Sequence, residues 1–379
     1  MKNNFSEILY LENWLDKTLK IAKELNQKIK KKNKKNIFLI STTKKQTKNL
    51  LPYNTPLRET EFGFLSGVVV FSQTQAILVA NKLDGIVDYI FVDAEKKLGV
   101  TINAENNISK HFKISHLIKK DGKKNIEYGN ISGAVRGVIK KSFFHEYKPN
   151  DLTIDSVWTF VSNYFRGLSG KKITIVGSGN IGFKLGLKFV ESGANVELVR
   201  RSVEAGQLFA NTINLIKSEY TIAEAHYDSD PIKAAIRSDV LIGATDGVEI
   251  INWEMIQSMN KNGIIIDIGK GTINKEVAKK AISNKLKIFR ADITAALSGT
   301  ISTILRNIKI TENHLGRKKL KKNIFIVSGG QFALENDIIV DNINKPKNII
   351  GVADGNGDLK IKLNKNLISK LKQVEELIK

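Results

Sequence analysis

The chain has 379 residues, 42% of them hydrophobic, and a formal net charge of +22, which is apolar content enough for the cores of two domains. It contains no cysteine, which excludes a disulfide framework, a thiolate metal site and a cysteine nucleophile, and points to a cytoplasmic setting. The first ten residues hold Glu7 and no long apolar run, so neither a secretory leader nor a membrane partner is expected, and lysine spread along the whole chain with asparagine and isoleucine reads as the composition of an AT-rich genome, with no nucleic-acid partner expected.

Phe5, Ile8, Leu9, Leu15, Leu19, Ile21 and Leu25 recur at helical spacing, and the basic cluster Lys28 to Lys35 then reads as a solvated helix end and loop before the strand Ile37 to Ile40. The polar loop Thr55 to Gly63 follows, in which Arg58 is suited to hold a carboxylate of a small-molecule substrate through two parallel hydrogen bonds. The apolar run Ile90-Phe91-Val92 delivers Asp93, Glu95, Lys96 and Lys97 at its C-terminal end. Lys96 or Lys97 beside Asp93 makes an acid–base pair, and the alternative is a charged turn after a core strand. Histidine ordinarily titrates near neutrality, which makes His145 a candidate proton shuttle at the substrate.

From Lys171 onward short apolar runs alternate with helical patterns, as in a parallel sheet with crossover helices. The runs are Ile173 to Val176, Val196 to Val199, a weaker Thr221 to Ala225, Val240 to Gly243, Ile264 to Ile268 and Leu286 to Phe289. After the first comes Gly177-Ser178-Gly179-Asn180-Ile181-Gly182, the spacing that lets a turn close, a pyrophosphate approach the backbone, and a helix pack near its strand. An NAD-binding domain places an acid at the end of the second strand; here Arg200, Arg201 and Ser202 stand there and suit a 2′-phosphate, so NADP(H) is the expected cofactor. Ala244, Thr245, Asp246 and Gly269 follow the fourth and fifth strands, where the nicotinamide half would lie.

These residues resemble the two-domain NADP-dependent dehydrogenases with an amino-acid-dehydrogenase-like first domain, the group of shikimate dehydrogenase and methylenetetrahydrofolate dehydrogenase. Four segments carry the resemblance: Asn150 to Asp155 with Leu168 to Lys172, the Arg200-Arg201-Ser202 run, Val240 to Gly247, and Ile265 to Gly269. The shikimate family's Asn-Thr-Asp run is interrupted here, leaving Asp151 and Asp155 at that place, and Asp155 is taken as a candidate catalytic acid. The resemblance also implies a glutamine near the substrate on a late helix, for which Gln331 is the candidate.

Toward the end of the chain, Ile293 to Ile310 is expected to be helical, Ile324 to Val327 to form a seventh strand, and Leu363 to Ile378 to be a helix packed on the first domain. No spacing reads as a metal site; Asp354 to Asp358 lacks the glycine and terminal glutamate of a calcium loop and is expected to be a polar turn.

The expected fold class is α/β: a Rossmann-type doubly wound parallel sheet over 150–344, preceded by a smaller α/β substrate domain over 1–149 that 345–379 completes. The expected function is an NADP-dependent dehydrogenase or reductase acting on a hydroxyl, amino or imine carbon of a small carboxylate-bearing metabolite. A lyase or cyclase that recycles its dinucleotide within each turnover, and an NADP-sensing protein without chemistry, are the alternatives. The composition leaves a homodimer open.

Overall fold

The computed structural model describes residues 2–32, 34–43, 50–95, 101–103, 107–114, 120–121, 124–127, 131–313, 315–321 and 323–378. The chain divides into two units, Met1–Gly299 and Thr300–Lys379. The first unit holds two main sheets in succession, the first mixed and the second parallel.

α1 (Lys2–Lys32) turns Leu11, Trp14, Leu15, Ala22 and Leu25 inward, the three-and-four spacing that gathers apolar side chains on one helix face. β1 (Lys35–Thr42) follows, then the short β2 (Tyr53–Asn54) and β3 (Arg58–Glu59), β4 (Gly63–Val70), α2 (Gln73–Leu83) and β5 (Tyr89–Asp93). β6 (Thr101–Asn103), β7 (Lys120–Asp121) and β8 (Lys124–Glu127) form a separate antiparallel sheet, with α3 (Asn107–His111) between β6 and β7. α4 (Ile131–Arg136) and β9 (Phe143–Tyr147) complete the domain.

The first main sheet runs β2-β4-β1-β5-β9, with β4, β1, β5 and β9 parallel and β2 and β3 antiparallel to β4. One face carries Phe38, Ile40, Val68, Val70, Ile90 and Val92 into a core shared with α1, α2 and α4. Chain order reverses between β1 and β5, the switch point outside which open α/β sheets form their crevice.

α5 (Pro149–Phe165) starts with proline at a first-turn position, where its fixed φ and missing N–H cost nothing, and leads into the second sheet. β10 (Lys172–Val176), α6 (Asn180–Glu191), β11 (Asn195–Val199), α7 (Val203–Ile216), β12 (Ala225–Asp228), α8 (Pro231–Ala235), β13 (Val240–Gly243), α9 (Trp253–Ser258), β14 (Ile264–Asp267), α10 (Lys275–Ser283) and β15 (Lys287–Arg290) follow in turn. The order is β12-β11-β10-β13-β14-β15 and every pairing is parallel, the 3-2-1-4-5-6 arrangement of a doubly wound dinucleotide-binding domain. Ile173, Ile175, Val196, Leu198, Val240 and Ile242 pack under α5, α6 and α7, while Val176, Val199, Leu241 and Ile265 pack under α8, α9 and α10. Burial on both faces is why the central strands read as unbroken apolar runs.

The weak third run is displaced. The strand begins at Ala225, where the Asn214 carboxamide donates to the Ala225 carbonyl and accepts from its N–H, both at 2.8 Å, and Ile222 before it is 94% exposed.

α11 (Thr294–Asn313) begins in the first unit and ends in the second, close to the expected helix. The second unit holds β16 (Arg317–Lys321), β17 (Ile324–Ser328), β18 (Ile338–Val340), β19 (Ile349–Val352) and α12 (Lys365–Ile378). The run expected as a seventh strand is β17, and among the described residues it lies in a four-stranded mixed sheet, β16-β17-β18-β19. The expectation placed 345–379 with the first domain; the buried Leu367 and Val374 of α12 instead share a core with Ile324, Ile326, Ile338, Val340 and Val352 of the second unit. Arg317 there donates twice to the buried Asp337, at 2.8 and 2.9 Å, and lies 3.7 Å over the Phe325 ring. The Asp354 carboxylate is held by the N–H groups of Asn356 and Asp358, a polar turn. Among the described residues no helix is long and apolar enough to cross a membrane.

Candidate functional site

The glycine loop joins β10 to α6, and each glycine answers a different steric demand. Gly177 sits at φ +102°, and a Cβ on it would lie 2.7 Å from the Ala244 carbonyl carbon and 2.8 Å from the Thr245 nitrogen. A Cβ on Gly182 would lie 2.4 Å from the Gly177 oxygen, so this glycine lets the helix seat against the turn. Gly179 is the opposite case. A Cβ there meets nothing within 4 Å, and the residue caps α6 without any side-chain hydrogen bond. Open space above a helix end whose first N–H groups lack a side-chain acceptor is the cradle an anionic pyrophosphate requires.

At the end of β11 the three residues singled out from sequence separate into different tasks. Arg200 Nη1 donates to the Ser178 carbonyl at 2.6 Å, and its guanidinium lies 4.8 Å from the Phe209 ring centre, so Arg200 fastens the glycine loop to α7. Ser202 Oγ accepts from the Ala205 N–H and caps α7. Arg201 is exposed. Glu197, the one acid on the strand, lies within β11 and is 3.7 Å from Lys172, away from the strand tip.

The ends of β13 and β14 close against each other. A Cβ on Gly269 would come within 1.8 Å of the Thr245 carbonyl oxygen, and one on Gly243 within 2.0 Å of Thr272 Oγ1. Thr245 Oγ1 donates to the Val248 carbonyl at 2.8 Å. The Asp267 carboxylate accepts from the Gly271 N–H at 2.9 Å and from Thr272 Oγ1 at 2.8 Å, which shapes the turn after β14. Ala244 and Thr245 are half-buried and Asp246 is exposed, so this rim is open to a ligand above the strand ends.

On the first sheet, Asp93 ends β5 at the switch point and is fully buried. Its carboxylate accepts from the Thr42 N–H at 3.1 Å, from Thr42 Oγ1 at 2.8 Å and from the Glu95 N–H at 2.8 Å. Asp93 therefore ties the end of β1 to the loop after β5. Lys96 and Lys97, the lysines expected beside it, lie outside the described residues. Sequence reasoning missed two neighbours, Ser41 and Tyr147, whose hydroxyls bond to each other. Burial pushes the Tyr147 phenol well above its usual range, and the charges of Asp93 and Glu95 add to the effect. The sequence separation of 106 between Ser41 and Tyr147 left no local signal of this pair.

His145 stands on β9 opposite Phe91, its ring edge-on to Phe91 at 5.5 Å and tilted to Tyr89 at 6.1 Å. Arg58 opens β3, and its charge reaches Asp292, just past the end of β15. Hydrogen bonds from the Thr294 hydroxyl and N–H hold the Asp292 carboxyl below the usual carboxylate range, and Arg58 contributes to the same shift. Asp155 is engaged elsewhere: on α5 it is ion-paired with Lys188 of α6, as Asp151 is with Lys184 at 2.6 Å. Gln331 is exposed in the turn after β17 of the second unit, its N–H donating to the Ser328 carbonyl.

Residues 147–296 match the family model of the NAD-binding domain of D-isomer specific 2-hydroxyacid dehydrogenases. The chain carries the nucleotide-binding domain of a dinucleotide-dependent oxidoreductase. The match runs from the end of β9 into the first turn of α11 and so takes in all six strands of the second sheet. A search of curated protein sequences returns no match. Among solved structures, the chain is similar to the dipicolinate synthase A chain from Bacillus subtilis, at 15% identity over 73% of this chain and 79% of that one, with a TM-score of 0.32. It is similar to L-tryptophan dehydrogenase from Nostoc punctiforme at 13% identity over 65% of this chain and 63% of that one, with a TM-score of 0.37. A shikimate dehydrogenase in complex with NADP+ is 12% identical over 73% of this chain and 91% of that one, with a TM-score of 0.37.

Proposed function

We propose that the protein is an NADP(H)-dependent dehydrogenase or reductase that moves a hydride to or from a hydroxyl, amino or imine carbon of a small metabolite bearing a carboxylate. One observation carries the cofactor reading: at the tip of β11, where an acid would receive a ribose 2′-hydroxyl, the chain places Arg200 and Arg201, and Arg201 is exposed. A guanidinium there attracts a 2′-phosphate and offers paired donors to it.

In this reading the N–H groups at the start of α6, from Gly179 through Gly182, hold the pyrophosphate, and Ser178 contributes its carbonyl to the Arg200 clasp. Ala244, Thr245, Asp246 and Gly269 border the nicotinamide. When bound, the dinucleotide supplies or accepts the hydride. The chain's own residues bind, orient and move protons: Arg58 grips the substrate carboxylate, and Lys96 or Lys97 exchanges the proton at the reacting carbon's substituent. The buried Asp93 carboxylate holds Thr42 and the Glu95 N–H, and His145 stands by as an alternative proton carrier. Asp155, paired with Lys188, braces α5 on α6 and is not given a proton to move.

Titrating the protein with NADPH and NADH, followed by nicotinamide fluorescence, tests the reading. Tighter binding of NADPH that Arg201→Asp abolishes supports it; equal affinity for the two cofactors in the parent protein overturns it. Net consumption of NADPH with a carboxylate-bearing substrate separates the dehydrogenase from a lyase that recycles its dinucleotide.

A further inference from the structure

The two edges of the second sheet carry opposite charge. In a chain of formal net charge +22, residues 218–230 at the β12 edge contain neither lysine nor arginine, and their acids are Glu219, Glu224, Asp228 and Asp230. His226 among them lies 3.8 Å from the Glu224 carboxylate. At the β15 edge the balance is reversed: past Glu276 in the first turn of α10, residues 277–290 contain no acid and hold Lys279, Lys280, Lys285, Lys287 and Arg290. Each edge also exposes apolar surface. Leu215, Tyr220 and Ile222, between the end of α7 and the start of β12, are 83%, 87% and 94% exposed. Ile282 on α10 is 63% exposed, and the half-buried Phe289 of β15 has Phe160 of α5, 38% exposed, edge-on to it at 4.8 Å. A single apolar side chain on a surface is ordinary, whereas three nearly bare ones beside one strand end mark a contact surface.

Strand addition cannot use the start of the β12 edge. The Val196 N–H of β11 donates to the Glu224 carbonyl, so the N–H and C=O of Ala225 point away from β11, and the Asn214 carboxamide takes both at 2.8 Å. A partner therefore meets this place through side chains and not through a shared ladder. Two copies of the β12 edge facing each other would oppose acid to acid, which disfavours a two-fold contact there. The β12 edge of one copy and the β15 edge of another are complementary in charge, and each brings apolar surface. Both sets of exposed groups gather at the amino ends of their strands, with Tyr220 and Ile222 preceding β12 and Ile282 and Lys285 preceding β15. The glycine loop and Arg201 follow the carboxyl ends of β10 and β11, so a contact between these edges leaves them open.

We propose that the chain assembles head to tail with further copies of itself, the acidic β12 edge of one copy docking on the basic β15 edge of the next. Such a contact is heterologous, so successive copies close a ring or extend as a filament. The inference is independent of which nicotinamide cofactor the second sheet prefers. Sedimentation velocity on the full chain, at about 50 mM and about 500 mM salt, is the test. The parent should form concentration-dependent oligomers at low salt, with association at least about tenfold weaker at high salt. Tyr220→Ser with Ile222→Ser strips exposed apolar groups from the acidic edge, and Lys279→Glu with Lys285→Glu reverses charge on the basic one; each pair should weaken assembly at least about tenfold. Mixed in equal amounts, the two double variants should pair as a dimer and stop there, because the first keeps an intact basic edge and the second an intact acidic edge. That recovery also shows both variants to be folded. NADPH titration of the same variants should be unchanged, so failure of the cofactor reading and failure of this one are seen separately. A parent chain that stays monomeric at about 100 μM in low salt overturns the proposal. So do oligomers that persist in either variant, and so does a mixture that stays monomeric, since the contact is then two-fold or lies on another surface.

Discussion

Asn150 Nδ2 donates to Asn180 Oδ1 at 3.3 Å, while the Asn150 N–H donates to the Glu95 carboxylate at 3.1 Å. One residue in the first turn of α5 thus joins the loop after β5 to the first residue of α6 in the glycine loop. Asn150→Ala removes the side-chain bond and keeps the backbone one. It is expected to lower stability by less than about 1 kcal/mol, since the bond is long and solvent-exposed, and to weaken NADPH binding severalfold by loosening the start of α6. Urea melts and a fluorescence titration on the same preparation check both; unchanged affinity would show that the bridge does not steady the loop.

Gly177 and Gly179 should fail in different ways. Gly177→Ala forces a side chain at φ +102° against the Ala244–Thr245 peptide and is expected to cost about 2 kcal/mol of stability. Gly179→Ala meets empty space, so Tm should hold while dinucleotide affinity falls about tenfold or more, because the added methyl occupies the pyrophosphate's approach. Thermal melts set beside binding isotherms distinguish the two.

The adjacent arginines should also part company. Arg201→Ala is expected to weaken NADPH by about 10–100-fold with NADH little changed, the range of a lost charge-assisted hydrogen bond. Arg200→Ala, which frees the Ser178 carbonyl and uncovers Phe209, should weaken both cofactors together. A pattern in which Arg200→Ala alone discriminates between them would reverse the assignment.

Acid should act on Asp84, at the end of α2. Burial works upward on its carboxyl, but the N–H groups of Ser142, Lys141 and Lys140 outweigh it and hold the group below the usual carboxylate range. A folded-state value below the unfolded one, near 3.9, means that the stabilisation is complete above about pH 4 and is lost as pH falls through the lower, folded value. Asp84→Asn should therefore destabilise at neutral pH and flatten the acid limb of the stability curve. Chemical melts between pH 2 and 7 measure it; parallel curves for the two proteins would refute the assignment.

The second sheet was legible from sequence because strands buried on both faces leave unbroken apolar runs, as in Ile173 to Val176 and Ile264 to Ile266. Its edge was not: β12 buries only Ala225, and the anchor that sets its start is the carboxamide of Asn214 on α7. An apolar run also says nothing of its neighbours, which is how Ile324 to Val327 came to be read as a seventh strand when its partners are the basic β16 and the short β18. At the site, the glycine spacing announces its own geometry. The Asp93–Thr42 and Ser41–Tyr147 contacts arise only when strands distant in sequence join one sheet.

Arg200 and Ser202 each serve the fold, one as a clasp and the other as a helix cap, whereas Arg201 faces solvent. If the proposed NADP(H) reading holds, cofactor preference hangs on a position that architecture leaves unconstrained. A lineage carrying this scaffold is free to exchange one nicotinamide pool for the other through a single substitution at residue 201, and the switch would reach selection through metabolism alone, without first passing a test of folding.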